Sequence, residues 1–173
     1  MNSTRRAILT LMGASLVVPA QAQSYPSKTI TMIVPYPPGG GTDAVARLIA
    51  EKIGKQMGQT VVVDNRAGAS GTLGTSMVAK AAPDGHTILL ALSTQFVINP
   101  FLFKKLPYDP NKDIALVSQV VASPIMLIVH PSVPANDAPS IIKYIRENKG
   151  KLNYGSYGIG SASHLSGAHL SQI

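Results

Sequence analysis

The stretch Thr29–Ala50, TITMIVPYPPGGGTDAVARLIA, constrains the chain most. Thr29–Val34 alternates and is rich in β-branched residues, which predicts a strand. Pro35, Pro37 and Pro38 cannot continue a hydrogen-bonded ladder. Gly39, Gly40 and Gly41 follow, and allow backbone conformations and close approaches closed to other residues. Val45, Leu48, Ile49 and Ile53 then fall at helical spacing, which predicts a helix over Thr42–Met57 with Gly58 as its stop. A strand delivered through bare glycine to a helix N-terminus is a common way to hold an anion, because the N–H groups there are unpaired and carry the positive end of the helix dipole.

The pattern continues. Thr60–Val63 reads as a second strand, Asn65–Thr72 as a Gly/Ser-rich loop, and Leu73–Ala82 as a short helix closed by the turn Pro83-Asp84-Gly85. His86–Leu92 is a third strand, left through Ser93-Thr94-Gln95, and Phe96–Phe103 a short helix broken by Pro100. The order βαβαβα favours a parallel sheet with right-handed crossovers. Ligands of such sheets sit outside the carboxyl ends of the strands. Pro35–Thr42, Asp64–Gly71 and Ser93–Gln95 are the loops there.

Leu106–Lys112 is a Pro- and Asp-rich connector. Ile114–Val121 and Ile125–His130 are expected strands, Pro131–Pro139 a loop, and Ser140–Asn148 an amphipathic helix. Asn153–Gly155 is expected to be a strand entering a second Gly/Ser loop, Ser156–Ser163, before a helix from His164. The chain ends inside that helix without a stop signal, so a continuation is expected. No fixed-period repeat occurs.

Residues 1–22 read as a secretory signal: Arg5-Arg6, an apolar run Ala7–Val18, and the small-x-small site Ala20-Gln21-Ala22, with cleavage near Ala22. No other stretch is apolar and long enough to span a bilayer. Export to a bacterial periplasm follows. The 173 residues contain no cysteine, so no disulfide or thiolate metal site is available. With 45% hydrophobic and 13% charged residues the composition is globular. The net charge of +7 includes Arg5 and Arg6, and the remaining basic residues are scattered. That is not a nucleic-acid stripe, and aromatic stacking partners are lacking.

Two Gly/Ser loops before helices, with Thr and Ser hydroxyls that donate without adding charge, suit a small carboxylate. Asp43 is acidic inside the first loop and is expected to cap the helix or to receive an ammonium or water. A dinucleotide alternative stands beside this. Gly39–Ala44 fits G-x-G-x-x-A, and Asp64 ends the second strand where a ribose acid would stand. The three prolines, which lengthen the turn, and the exported location count against it. No G-x-S-x-G elbow and no Walker lysine occurs. His164 and His169 are five apart and share a helix face poorly. His86 and His130 read as strand-end residues. No nucleophile–base pair is visible, so the residues read as a binding protein with no cofactor and no metal.

Several segments together carry a resemblance: Ile33–Asp43, Asn65-Arg66-Ala67-Gly68-Ala69-Ser70-Gly71, Pro83–Leu89, Leu106-Pro107-Tyr108-Asp109, and Lys151–Ser156 with Gly158, Gly160, Ser161, His164 and Leu165. They resemble the receptor family of the tripartite tricarboxylate transporters, the Bug or TctC-type solute-binding proteins, over the whole mature part. The resemblance implies an α/β, two-lobed periplasmic-binding-protein fold of type II-like form, with parallel-rich sheets flanked by helices. Lobe 1 would occupy residues 23–121 and an incomplete lobe 2 residues 122–173. The implied function is capture of small organic carboxylates for a membrane transporter, by a monomer that neither inserts in the membrane nor binds nucleic acid. An exported protein of the same fold feeding a sensor is the alternative. The resemblance assigns ligand contact to Tyr36, Pro38, Gly39, Gly40, Gly41, Thr42 and Asp43 in the first loop, largely through ordered water. It adds Ser93 and Thr94 after the third strand, and Ser156, Gly160, Ser161, Ser163 and His164 in the second-lobe loop. Ser70 departs from the family pattern, which often has Gly there, and would narrow its loop. Ile114 and Leu116 depart where Phe and Pro are usual, and Asn148-Lys149-Gly150 lacks the usual Pro.

Overall fold

The computed structural model describes residues 24–173, so the expected signal peptide lies outside the described residues. Three strands form one parallel sheet: β1 (Ile30–Val34), β2 (Val61–Asn65) and β3 (Thr87–Leu89). Their order is β2-β1-β3. Ile30 pairs with Val61, and Thr31 with both Val62 and Thr87. The α/β architecture with a parallel sheet flanked by helices agrees with the sequence reading.

β1 is the central strand. Ile30, Met32, Ile33 and Val34 are all buried, so the strand is apolar on both faces, as a strand covered on both sides must be. Helix α1 (Gly41–Met57) packs Ala46 and Ala50 onto Met32 and Val34, with Ile49, Val61, Val63, Ile88 and Leu90 around them. Its C-terminus closes on Gly58, whose left-handed backbone (φ 65°) returns an N–H to the Gly54 carbonyl. Helix α2 (Thr72–Ala79) buries only small residues, Thr72, Gly74, Thr75 and Ser76. A Cβ on Gly74 would lie 2.9 Å from the Arg66 carbonyl and 3.0 Å from Pro35 Cβ, so glycine is what lets α2 lie against the exit of β1.

The expected helix over Phe96–Phe103 is two short ones, α3 (Thr94–Val97) and α4 (Asn99–Leu102). Pro100 starts the second instead of breaking the first, since a first-turn residue needs no N–H acceptor. Helices α5 (Ala138–Glu147) and α6 (Ala162–Leu170) follow. Asp137 caps α5 and Ser140 returns the bond, a reciprocal box.

Ile114–Val121, Ile125–His130 and Asn153–Gly155 do not form strands. Their alternation is strand-like, but a strand exists only where a neighbour shares its hydrogen bonds, and none does among the described residues. Val117 is 97% exposed and Ile128 82%.

Candidate functional site

The strand order makes one place special. The chain leaves β1 toward β2 on one side, while β3 lies on the other. The strand order therefore reverses at the carboxyl ends of β1 and β3, the usual ligand position of such sheets. Tyr36 follows β1 and Gln95 follows β3, and they meet there. The Tyr36 hydroxyl donates to Gln95 Oε1 (3.0 Å) and accepts from Gln95 Nε2 (2.7 Å). Burial raises the Tyr36 pKa, against the Gln95 hydrogen bond that lowers it. The phenol is thus tied into the protein.

Gln95 Nε2 also donates to the Ser70 carbonyl (3.0 Å), and Asn99 Nδ2 donates to the same oxygen (3.1 Å). Tyr108 donates to the Gln95 main-chain carbonyl (2.9 Å). Gln95 and Asn99 are fully buried, and Tyr108 nearly so. Asn99 Oδ1 has no partner among the described residues, because the neighbouring Tyr108 hydroxyl is spent on Gln95. This polar cluster ties the loop after β2 to the loops after β1 and β3. Sequence reading missed it: Gln95, Asn99 and Tyr108 carry no local signal of burial.

The loop after β2 is itself unusual. Gly68, Ala69, Ser70 and Gly71 all have positive φ (140°, 45°, 54° and 81°). Ala69 and Ser70 hold a conformation that disfavours a side chain, and such strain persists only where surroundings impose it. At Gly71 a Cβ would lie 2.2 Å from Gln95 Nε2, so any other residue displaces the buried carboxamide.

The first loop is opened by Asp43. Its carboxylate is buried and reaches back from the first turn of α1 to the Gly39 N–H (2.9 Å). It also accepts from Arg47 Nε (3.0 Å) and Asn65 Nδ2 (3.0 Å). Asn65 Nδ2 lies within 3.1 Å of the Tyr36 carbonyl as well. The Arg47 hydrogen bond leads in lowering the Asp43 pKa to about 2, followed by the Gly39 N–H. Both oxygens of this acid are therefore engaged in stapling the loop. The residue at the helix cap is Gly40, which supplies no side-chain oxygen. The first intrahelical acceptor is used by Ala44, whose N–H bonds to the Gly40 carbonyl (3.0 Å). The N–H groups of Gly41, Thr42 and Asp43 precede that ladder uncapped by any side chain. Pro38, Gly39, Gly40 and Gly41 are exposed, and Thr42 is half-buried.

Of the other predicted residues, Ser93 is exposed in the loop after β3 and Thr94 is buried beside Gln95. The loop before α6 is satisfied within itself. Ser161 Oγ caps α6 by accepting from the His164 N–H (3.2 Å), donates to the Gly158 carbonyl (2.7 Å), and lies 3.0 Å from Ser163 Oγ. Ser156 Oγ accepts from Gly158, and His164 Nδ1 accepts from Gly160. His164 thus orients this loop. Gly160 is buried against Leu102 and Ser70. No hydrogen bond joins Gly39–Asp43 to this loop among the described residues; the bridge runs through Ser70, which donates to the Ile159 carbonyl. Asp64, the acid a dinucleotide reading would need, is engaged by Arg66 Nε at 2.9 Å. No group of three or more His, Cys, Asp and Glu residues placed to hold a metal occurs among the described residues.

The family model described as tripartite tricarboxylate transporter family receptor matches residues 45–172. A protein from the tcbD-tcbE intergenic region of Pseudomonas sp. strain P51 is 39% identical over 98% of this chain and 51% of its own length. MatC from Rhodopseudomonas palustris with bound malate superposes with a TM-score of 0.76 at 36% identity, over 86% of this chain and 50% of MatC. Rpa4515 of R. palustris with adipate gives 0.70 at 32% identity, over 83% and 48%. The chain spans about half the length of the curated relatives it matches.

Proposed function

This chain belongs to the tripartite tricarboxylate transporter receptor family, and on that premise we propose that it carries the carboxylate-holding face of a periplasmic substrate-binding receptor. Receptors of this family are periplasmic binding proteins and not enzymes. The observation that carries the reading is the uncapped start of α1. Gly40 offers no cap, Asp43 is turned away onto Gly39 and Arg47, and three N–H groups face the exposed glycine loop. A carboxylate is the group that such a terminus lacks. The helix start before α6 is different, being capped by Ser161, so the first loop is the primary anion seat and Ser156–His164 the covering side. Two relatives hold malate and adipate, which makes small dicarboxylates the first class to try. Charge-assisted hydrogen bonds contribute roughly 1.5–3 kcal/mol each. Three give about 4.5–9 kcal/mol, which after ordering costs falls short of the roughly 8 kcal/mol net of micromolar affinity, so the covering loop must add contacts. The remaining site positions, Tyr36, Ser93 and Thr94, follow the carboxyl ends of β1 and β3. The two-lobed division at about residue 121 and delivery to membrane transporter subunits belong to the same proposal.

Thermal unfolding with and without malate, succinate, adipate or citrate, with NAD as control, tests it. A ligand at about 100 times its Kd stabilises by about 2.7 kcal/mol, a rise in Tm of several degrees. Response to NAD and none of the acids would reverse the assignment.

A further inference from the structure

We propose that Ser70 is a latch between the loop after β2 and the loop before α6, and that it sets how firmly the site closes without touching the carboxylate. The proposal rests on the receptor reading above for its consequence in binding, but not for its geometry. Three observations meet at this residue. Its hydroxyl donates to the Ile159 carbonyl, eighty-nine positions away in sequence. Its carbonyl is gripped from below by two fully buried carboxamides, Gln95 at 3.0 Å and Asn99 at 3.1 Å. Its backbone is left-handed (φ 54°, ψ 36°), a conformation serine rarely holds.

A glycine would satisfy the backbone without strain, so the side chain is what the strain supports. Gly160, next to the accepting carbonyl, is shaped to receive it. It is buried with φ +84°, and a Cβ there would lie 2.8 Å from Leu102 Cδ1 and 3.5 Å from Ser70 Oγ. Both sides of the contact are therefore specialised. The carboxamides fix where the hydroxyl points, and the glycine lets the opposing backbone come within reach. Nothing in this contact uses Gly39–Thr42, so anion holding and closure are separate functions of neighbouring loops.

The test uses three variants. Ser70→Ala removes the hydroxyl and keeps the strained backbone. Ser70→Gly removes both, and Ser70→Asn keeps a donor on a residue that tolerates the left-handed region. Amide hydrogen exchange at Gly160 and Ser161 in the free chain reads the latch. It should quicken by up to about tenfold in the Ala and Gly variants, the equivalent of one net hydrogen bond, and recover at least partly in the Asn variant. The urea midpoint should move in opposite directions, up for Ser70→Gly and down for Ser70→Ala. Succinate affinity should fall about threefold to tenfold in both, mainly through faster dissociation. A uniform structural role would not make the Gly variant both more stable and weaker in binding. Unchanged exchange in the Ala and Gly variants would overturn the latch. Faster exchange with unchanged succinate affinity would overturn its part in closure. A wild-type chain that binds none of the acids would instead overturn the receptor reading, with exchange still deciding the latch.

Discussion

Gly71→Ala is the substitution whose effect the structure fixes most closely. Position 71 has φ +81°, where an L-residue costs about 1–2 kcal/mol. Gly58, at φ +65° with nothing within 4 Å of its would-be Cβ, is a control that carries this cost alone. At 71 the new methyl would also lie 2.2 Å from Gln95 Nε2 and 3.1 Å from Gln95 Cδ. The Gln95 carboxamide must leave, and with it go its bonds to the Tyr36 hydroxyl and the Ser70 carbonyl. Gln95 is fully buried and cannot turn to water. Net hydrogen bonds contribute about 0.5–1.5 kcal/mol each, and a buried group left unpaired costs about 1–3 kcal/mol. Gly71→Ala should therefore cost about 2–4 kcal/mol more than Gly58→Ala, read as urea midpoints by circular dichroism. Gln95→Ala makes a cycle. If the methyl acts by evicting Gln95, the double variant should be less destabilised than the sum by about 1–3 kcal/mol. Equal costs for the two glycines, together with strict additivity, would refute the packing argument.

Gly40→Val should weaken carboxylate binding at least tenfold while leaving the urea midpoint nearly unchanged. The nearest neighbour of a Cβ there is the Pro37 carbonyl, at 3.9 Å, so the fold has room for the added bulk beside the exposed glycine loop. Tyr36→Phe should cost about 1–3 kcal/mol in unfolding free energy, because it strands Gln95 Oε1 and one of the two N–H groups of Nε2, the other remaining on the Ser70 carbonyl. Acid should destabilise the fold below pH 4. Asp43 is held at about 2, chiefly by Arg47, and Asp84 at about 2, chiefly by the His86 N–H and then Lys28. Both pKa values lie below the unfolded value of about 3.9, so the stabilisation is complete above that pH and is lost as pH falls toward 2. Asp43→Asn with Asp84→Asn should flatten that limb of a stability–pH curve.

Much of the β1–α1–β2 region was legible because its signals are local. The β-branched run, the three prolines, the apolar spacing of Val45, Leu48, Ile49 and Ile53, and Gly58 lie where their elements are. The exposed glycine loop follows from the same residues. What failed was long-range. Ile114–Val121 alternates like a strand, yet pairing is a property of two segments, and no neighbour lies beside it among the described residues. For Asp43 the residue type points to a cap or to a seat for an ammonium or water; its bond to Asn65 has no local signal, because it depends on β2 lying beside the loop. The glycine frequent at position 70 in the family pattern was the one hint of a left-handed backbone there; the grip of Gln95 and Asn99 on its carbonyl left no local trace.

The central place of β1 has a consequence in time. Its first neighbour, β2, follows after one helix, whereas β3 arrives only after a second helix and a turn. Pairings closer in sequence close sooner, since less chain entropy is lost. The β1–α1–β2 unit can therefore form while β1 still has a bare edge, with the glycine loop already bent by Asp43 and Asn65. Gln95 and Tyr108 come later. An early intermediate would display a shaped but unsecured anion loop, and a folding experiment that follows Tyr36 should see it settle only in the slowest step.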